Sequence, residues 1–321
     1  MRAFLAVLCL ANSSATAELE LADGVSISFL SGKAAGEFLA KPDDFTKSLS
    51  QFDRSARLRV GRVVDERQFL AHIAKHGLDW TDPEKKRLTA TVKETRALLQ
   101  GLQLPLPKDI LLIKTTGKED ADAAYTRRNG IIFSAKQLRR DGDGMRKLFL
   151  HELFHIMSRK DPKLATRLYR IIGYKPSPSL NFPEELAARK LTNPDAPFNR
   201  HAIEFEHDGK SVTTMPILFS RVQKYDDKQG GTLFRYLVFR LLILDPNNPA
   251  EPARDGMGEL IMLRPDKAKQ FHKKIGRNTG YIIHPEEIMA DNFVYMVLDR
   301  KDLPNPEIVE RLRASLTAER N

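Results

Sequence analysis

Two histidines four residues apart, with a glutamate directly after the first, constrain this chain more than any other feature. They are His151 and His155, with Glu152 between them, in the apolar stretch of residues 144–158. On a helix of 3.6 residues per turn, positions four apart lie on one face, so both imidazoles can approach one point. Glu152 then stands beside that face. The pattern therefore predicts three polar side chains grouped at one site.

The neighbouring residues favour a helix. No proline or glycine interrupts the stretch after Gly144, and Asp141 or Asp143 can cap its start. Apolar residues supply a surface to bury: Leu148, Leu150, Leu153, Phe154, Ile156 and Met157. A chance match to the pattern has a probability on the order of 1% in a chain of this composition. A histidine pair that is simply buried in a core is the alternative.

The spacing H-E-x-x-H has a direct chemical interpretation. It predicts that His151 and His155 bind a zinc ion and that Glu152 acts as a general base on a water molecule. Such a site needs a third protein ligand, which must come from elsewhere in the chain.

The first residues predict export. Residues 1–17 combine Arg2, an apolar run and the small residues Ala15 and Ala17, as in a secretory signal that is cleaved before Glu18. The apolar run is too short for a transmembrane anchor. Leu8 is too bulky for the position before a lipidated Cys9. We therefore expect a periplasmic or secreted protein.

Composition narrows the chemistry. Cys9 is the only cysteine among 321 residues, so the exported chain would have no disulfide, no thiolate and no cysteine ligand. Removing Arg2 reduces the formal net charge from +10 to +9. This balance suggests attraction to an anionic envelope surface or an acidic partner, although a merely solvated basic surface is the preferred account. No arginine-rich tract alternates with aromatic residues, so we expect no nucleic-acid partner.

Secondary-structure signals precede the histidine helix in a definite order. Residues 86–100 have helical periodicity, and residues 110–113 form a short apolar run typical of a buried strand. Residues 123–127 and 130–134 then flank Asn129-Gly130, a strong hairpin signal. His72 and His76 repeat the four-residue spacing, but no acidic residue follows them in a matching frame, so we expect a solvated or half-buried histidine pair.

At residues 82–160 and 281–298 the chain resembles the zincin metallopeptidases. The resemblance implies an α+β fold in which residues 86–100 form a backing helix behind a small twisted sheet. It also implies that the hairpin arm at residues 123–127 is the sheet edge that pairs with substrate. The expected organisation is a signal peptide (1–17), a segment of unknown role (18–80), a zincin-like core (81–195), a β-rich insertion (196–264) and a C-terminal helical part (265–321). An ordinary α+β layer on a helix is the alternative.

The third ligand has two candidates. No histidine follows His155 at the short spacing of one zincin branch, which favours the gluzincin arrangement, with a glutamate on a separate helix and the pattern E-x-x-x-D. Glu287 and Asp291 have this spacing, and Asp291 can accept a hydrogen bond from a ligand histidine. Glu185 is the rival, but Arg189 stands where the aspartate belongs. We therefore expect one zinc ion bound by His151, His155 and Glu287.

These expectations predict an exported zinc metallopeptidase that hydrolyses peptide bonds in peptide or protein substrates. Glu152 would take a proton from water that the metal polarises. The oxyanion that develops needs a further donor, and the candidates are Tyr281, His284 and Arg277, close to the glutamate helix. The alternative is an inactive envelope-binding or scaffold protein that retains the fold.

Overall fold

The computed structural model describes residues 19–317, and they form a mixed α+β structure. The signal segment predicted at residues 1–17 lies outside the described residues. Within residues 19–317, no helix is both long and apolar enough to cross a membrane.

Eleven strands are described. They are β1 (Leu19–Ala22), β2 (Val25–Phe29), β3 (Gly77–Leu78), β4 (Asp109–Thr115), β5 (Tyr125–Arg127), β6 (Gly130–Ser134), β7 (Tyr174–Pro176), β8 (His201–His207), β9 (Lys210–Ser220), β10 (Leu237–Ile243) and β11 (Met262–Leu263).

Twelve α-helices are described between and after these strands. They are α1 (Gly32–Leu39), α2 (Asp44–Ser48), α3 (Gln51–Leu58), α4 (Glu66–Ile73), α5 (Asp82–Leu98), α6 (Gly142–Lys160), α7 (Pro162–Ile171), α8 (Glu184–Ala187), α9 (Leu233–Tyr236), α10 (Lys269–Ile275), α11 (Pro285–Val297) and α12 (Pro306–Thr317).

A mixed sheet lies at the centre of the first half of the chain. Its strand order is β1-β2-β4-β6-β5, and β3 pairs with the end of β4. The pairs β2–β4 and β4–β6 are parallel, whereas β5 is an antiparallel edge strand. The expected hairpin is present, with Thr126 opposite Ile131.

Alternation along β4 buries both faces of this sheet. Leu112 faces the core that contains α5 and α6, and Ile113 faces a second core formed with the N-terminal helices. Adjacent strand residues point to opposite faces, so an unbroken apolar strand requires cover on both sides. The segment before residue 80, whose role was unknown from sequence, supplies the cover on the second face.

The two helices that carry the metal-ligand candidates pack against each other. Helix α6 begins at the N-cap Asp141, whose side chain accepts a hydrogen bond from the Gly144 N–H at 2.6 Å. Helix α11 begins at His284, whose ring accepts from the Glu286 N–H at 3.1 Å. Phe154 on α6 and Phe293 on α11 meet with ring centroids 5.8 Å apart. The rigid contact fixes one helix relative to the other.

A second sheet takes four of its five strands from residues 196–264, where we expected a β-rich insertion, but β7 precedes that region. The sheet is antiparallel, with strand order β11-β10-β9-β8-β7. The turn at Asp208 and Gly209, where both residues have positive φ, joins β8 to β9. Helix α10 packs against β8, which connects this sheet to the C-terminal helices.

A buried carboxyl group near the end of β4 predicts a pH-dependent stability. Glu119 is 2% exposed; its Oε1 accepts a hydrogen bond from the Thr115 hydroxyl, and its Oε2 has no partner. Burial raises the pKa of Glu119 from 4.5 to about 7, against the effect of the Thr115 hydrogen bond. The folded chain therefore holds this proton more tightly than the unfolded chain. Its stabilising contribution is complete below pH 4.5 and is lost as the pH rises through 7.

We expect Glu119→Gln to remove this pH dependence, because the amide has no proton to lose over this range. Between pH 5 and pH 8, the variant should gain roughly 2 to 3 kcal/mol in free energy of unfolding relative to the unmodified protein. Urea denaturation at both pH values measures the difference. Glu37→Gln, at an exposed position on α1, is the control. Equal changes in the two variants would show that Glu119 ionises normally.

Candidate metal centre

Three side chains from α6 and α11 converge on one point. His151 and His155 come from successive turns of α6, and Glu287 comes from the first turn of α11. The Nε2 atom of His151 lies 3.1 Å from Glu287 Oε2, and the Nε2 atom of His155 lies 3.5 Å from the same oxygen. The structure thus brings together the three residues predicted to bind the metal.

These distances suit a tetrahedral zinc ion. With bonds of about 2.0–2.1 Å, neighbouring ligand atoms around tetrahedral zinc are about 3.3 Å apart. His155 is buried, and its Nε2 atom has no hydrogen-bond partner. A buried polar atom without a partner is unusual, and a bound cation would satisfy it. The residues present therefore fit a zinc ion.

The other ring nitrogen of each histidine is bonded to a carboxylate. His151 Nδ1 lies 3.0 Å from Asp291 Oδ1, and His155 Nδ1 lies 2.7 Å from Glu286 Oε1. Such contacts hold the proton on Nδ1 and turn Nε2 toward the metal position. Asp291 thus occupies the position predicted for it, and Glu286 makes the matching contact to the second histidine.

Further hydrogen bonds hold these carboxylates. Asp291 accepts from the Thr279 hydroxyl, and Glu286 accepts from the hydroxyl groups of Ser158 and Tyr169. Because each carboxylate has more than one partner, it is held in place and keeps the histidine ring that it contacts in one orientation. The donor set is therefore preorganised.

Opposite charges shift the pKa values of this cluster. Burial disfavours the charged form of His151, but hydrogen bonds to Asp291 and Glu287 outweigh burial and raise its pKa to about 10. Burial would raise the pKa of Glu287, but the positive charge of His155 and the hydrogen bond from His151 hold it well below its ordinary value. The carboxylate of Glu287 is therefore ionised, as a metal ligand must be.

Glu152 lies beside the cluster and does not take part in it. The side chain is 2% exposed, and its Oε2 atom has no hydrogen-bond partner. Burial, followed by the negative charge of Asp195, raises the pKa of Glu152 to about 8. A carboxylate poised near neutral pH and free of other bonds is suited to accept and return a proton.

The cluster opens into a cavity of about 780 Å³ that His151, Glu152 and Glu287 help to line. Tyr281 also lines this cavity, and its ring stacks over His151 with centroids 6.2 Å apart. Tyr281 is 44% exposed, but desolvation at the cavity wall and the negative charge of Glu287 raise its pKa, so its hydroxyl stays protonated and can donate a hydrogen bond. Of the candidate oxyanion donors, Tyr281 is the one that the structure brings to the cavity.

The other two candidate oxyanion donors, His284 and Arg277, do not line the metal cavity. The ring of His284 is used as the N-cap of α11, and the residue lines a separate cavity. The assignment of His284 as an oxyanion donor is therefore not supported by its geometry, because Nδ1 is used in the capping hydrogen bond and the residue does not line the metal cavity. Arg277 is exposed and lies outside the residues that line the metal cavity.

The rival ligand Glu185 is remote from the cluster. It lies in the short helix α8, and its carboxylate forms an ion pair with Arg254 at 2.8 Å. The pair is solvent-exposed, so Glu185 has an ordinary surface role. Among the described residues, two groups of three side chains are able to hold a metal. The first is His151, His155 and Glu287, and the second, which shares His155, is Glu152, His155 and Asp195.

Sequence reasoning missed three residues at this site. They are Glu286, Asp195 and Asn193, whose side-chain amide donates a hydrogen bond to Glu287. Glu286 stands next to a predicted ligand, but nothing in the pattern showed that its side chain turns to His155. Asn193 and Asp195 lie in a proline-rich loop, and only the fold reveals that this loop crosses the site.

The predicted edge strand is also partly occupied. Strand β5 is the sheet edge, but the N–H of Thr126, which points outward, donates to Asp195 Oδ1 at 2.7 Å. The expectation of an open edge along residues 123–127 is therefore corrected at Thr126, because a side chain of the chain itself takes its hydrogen bond.

The chain matches no family model, and no curated protein or solved structure is significantly similar to it.

Proposed function

We propose that this protein is a zinc-dependent peptidase with the gluzincin arrangement of ligands. The observation that carries the proposal is the convergence of His151, His155 and Glu287 on one point. One of the converging atoms, the buried Nε2 of His155, has no hydrogen-bond partner. Glu152, in position for a general base, distinguishes this arrangement from a purely structural metal site, which has no use for a free carboxylate.

The architecture around the cluster supports the same proposal. Helix α5 packs against α6 behind a small mixed sheet, and the antiparallel edge strand β5 contacts α6. This order of backing helix, sheet, edge strand and histidine helix is the order implied by the resemblance to zincins. Helix α11 supplies the glutamate from a distant part of the chain.

The residues have complementary roles in the proposed hydrolysis. A bound zinc ion would supply Lewis acidity to a water molecule and to the scissile carbonyl. Glu152 accepts a proton from the attacking water and returns it to the leaving amine. The Tyr281 hydroxyl donates a hydrogen bond to the oxygen on which negative charge develops. Asp291 and Glu286 keep the histidine rings in one tautomer.

Zinc content and peptide hydrolysis, measured on matched variants, test the proposal. We expect about one zinc ion per chain in the unmodified protein, loss of most of it in Glu287→Ala, and full retention in Glu185→Ala. The rival glutamate is the matched control because it lies on an exposed ion pair. Hydrolysis of a mixed peptide library should follow the zinc content.

Full zinc in both variants would refute Glu287 as a ligand. Absence of zinc from the unmodified protein would refute the metal site itself. A fully zinc-loaded protein that cleaves no peptide would support the alternative of an inactive scaffold.

A further inference from the structure

Asp195 makes an unexpected contact with the edge strand. Its Oδ1 atom accepts two hydrogen bonds from Thr126, one from the backbone N–H at 2.7 Å and one from the hydroxyl at 2.6 Å. A backbone N–H on a free sheet edge is available to an extended peptide. At Thr126 this group is already bonded, so a peptide cannot pair with the strand there.

The Asp195 contact also separates two cavities. The cavity that contains the metal cluster borders Ala123 and Ala124, which precede β5. A second cavity of about 530 Å³ borders Arg127 and Arg128, on the other side of Thr126. Asp195 lines both cavities, and the three proposed ligands do not line the second. The groove along the strand is therefore closed at Asp195, next to the reacting groups.

A closed groove limits how far a substrate extends past the scissile bond. We call the contact between Asp195 and Thr126 the barrier. It stands directly beside the proposed base, because one oxygen or nitrogen atom from each of Asp195, Glu152 and His155 lies within 4.8 Å of the other two. Substrate bound in the metal cavity has room on one side of the cleaved bond only. Such a site removes residues from a chain end.

The negative charge of Asp195 indicates which end of the substrate binds at the barrier. Asp195 Oδ2 forms no hydrogen bond or ion pair with another described residue. Arg159, whose guanidinium is 3.9 Å from Oδ1, donates to the Thr126 hydroxyl and the Arg128 carbonyl. An anionic group with one free oxygen suits a protonated amine and would repel a carboxylate.

The lining of the metal cavity also carries positive charge. Arg140, Lys147 and Arg300 line it, are exposed, and form no ion pair with the described carboxylates. A short peptide has a positive amino terminus and a negative carboxyl terminus. The cavity thus has complementary charges when the amino terminus lies against Asp195.

We propose that the protein is an aminopeptidase in which Asp195 binds the free α-ammonium group of the substrate. This inference rests on the proposed peptidase function and specifies its substrate class. In the reaction, water adds to the carbonyl carbon of a residue at the amino terminus and the peptide C–N bond breaks. The water proton accepted by Glu152 passes to the leaving nitrogen.

Three forms of one short acidic peptide test this assignment: unmodified, N-acetylated and C-amidated. For the zinc-loaded protein, we expect acetylation to lower kcat/KM on the order of 100-fold, because it leaves Asp195 without its cationic partner. Amidation should change kcat/KM by less than about fivefold, because exposed cations contribute little.

Asp195→Asn is the informative variant, because its side-chain oxygen can still accept both hydrogen bonds from Thr126. We expect it to cleave the unmodified peptide as slowly as the acetylated one and to retain zinc and thermal stability. Asp208→Asn, in the exposed turn after β8, is the matched control. Calorimetric binding to zinc-loaded Glu152→Gln should show the same preference for a free amino terminus, which Asp195→Asn in that background should abolish.

Each contrary result has a distinct meaning. Equal cleavage of the unmodified and acetylated peptides would refute the aminopeptidase assignment while leaving the peptidase proposal intact. Dependence on a free carboxyl terminus would place the substrate in the opposite direction and also refute it. Absence of hydrolysis of any peptide by the zinc-loaded protein would refute the peptidase proposal, and this inference with it.

Discussion

Replacing Glu152 by Gln should lower the rate of peptide hydrolysis by about 10²- to 10⁴-fold without removing zinc. The side chain is buried and one of its carboxylate oxygens has no partner, so a neutral amide of the same shape fits the same space. The amide cannot accept a proton from water. Because Glu152 does not belong to the proposed ligand set of His151, His155 and Glu287, that set remains complete.

Measurements of kcat and zinc content on the same preparation test this expectation. Glu310→Gln, an exposed position on α12, controls for the change in net charge. Loss of zinc from Glu152→Gln would mean that the carboxylate helps to hold the metal. Unchanged hydrolysis would assign the role of base to another group, such as the Asp195 carboxylate, which lies within 4.8 Å of Glu152.

Local sequence patterns predicted the part of the site that depends on helix geometry. The spacing of His151 and His155 is a property of one helix, and so is the spacing of Glu287 and Asp291. The choice between Glu287 and Glu185 was also local, because Arg189 occupies the position where a ligand-supporting aspartate is needed. The structure places Glu287 beside both histidines and places Glu185 on an exposed ion pair.

Other features could not be predicted because they depend on the path of loops between helices. Asp195 follows His155 by 40 residues, and its contact with Thr126 requires a proline-rich loop to cross the sheet edge. His284 is the N-cap of α11 and Glu286 lies in its first turn, where neighbouring side chains point in different directions. Glu286 faces His155, whereas His284 folds back as the N-cap.

The helices that cover the second face of the central sheet also could not be identified from local sequence patterns. Phe38 comes from α1, and Phe69 and Ile73 come from α4. All three join Ile113 in one core. Each helix alone has an ordinary amphipathic pattern, and that pattern does not identify the surface it covers. The alternation in β4 required some cover, but the partner became evident only from the fold.

Replacing Arg127 by Met should destabilise the protein by about 3–5 kcal/mol, because the change removes a buried cation that bonds one largely buried carboxylate oxygen and two carbonyl groups. Arg127, on the edge strand, is 2% exposed, and its Nε donates to Asp43 Oδ2 at 2.6 Å. Its other nitrogens donate to the carbonyl groups of Leu39 and Lys41 at 3.0 and 2.8 Å. One side chain thus satisfies three acceptors in the segment that links α1 to α2.

Denaturant unfolding of Arg127→Met against Arg67→Met, an exposed position on α4, measures this effect. Adding Asp43→Asn should restore part of the loss, since the unpaired charge is then removed. Equal stability of the two single variants would show that solvent reaches Asp43.

Arg127 directly follows Thr126, whose N–H holds Asp195 beside the metal cluster. Anchoring this strand to the N-terminal helices therefore also fixes the barrier that closes the groove. In Arg127→Met, a weaker preference for a free over an acetylated amino terminus should accompany the loss of stability.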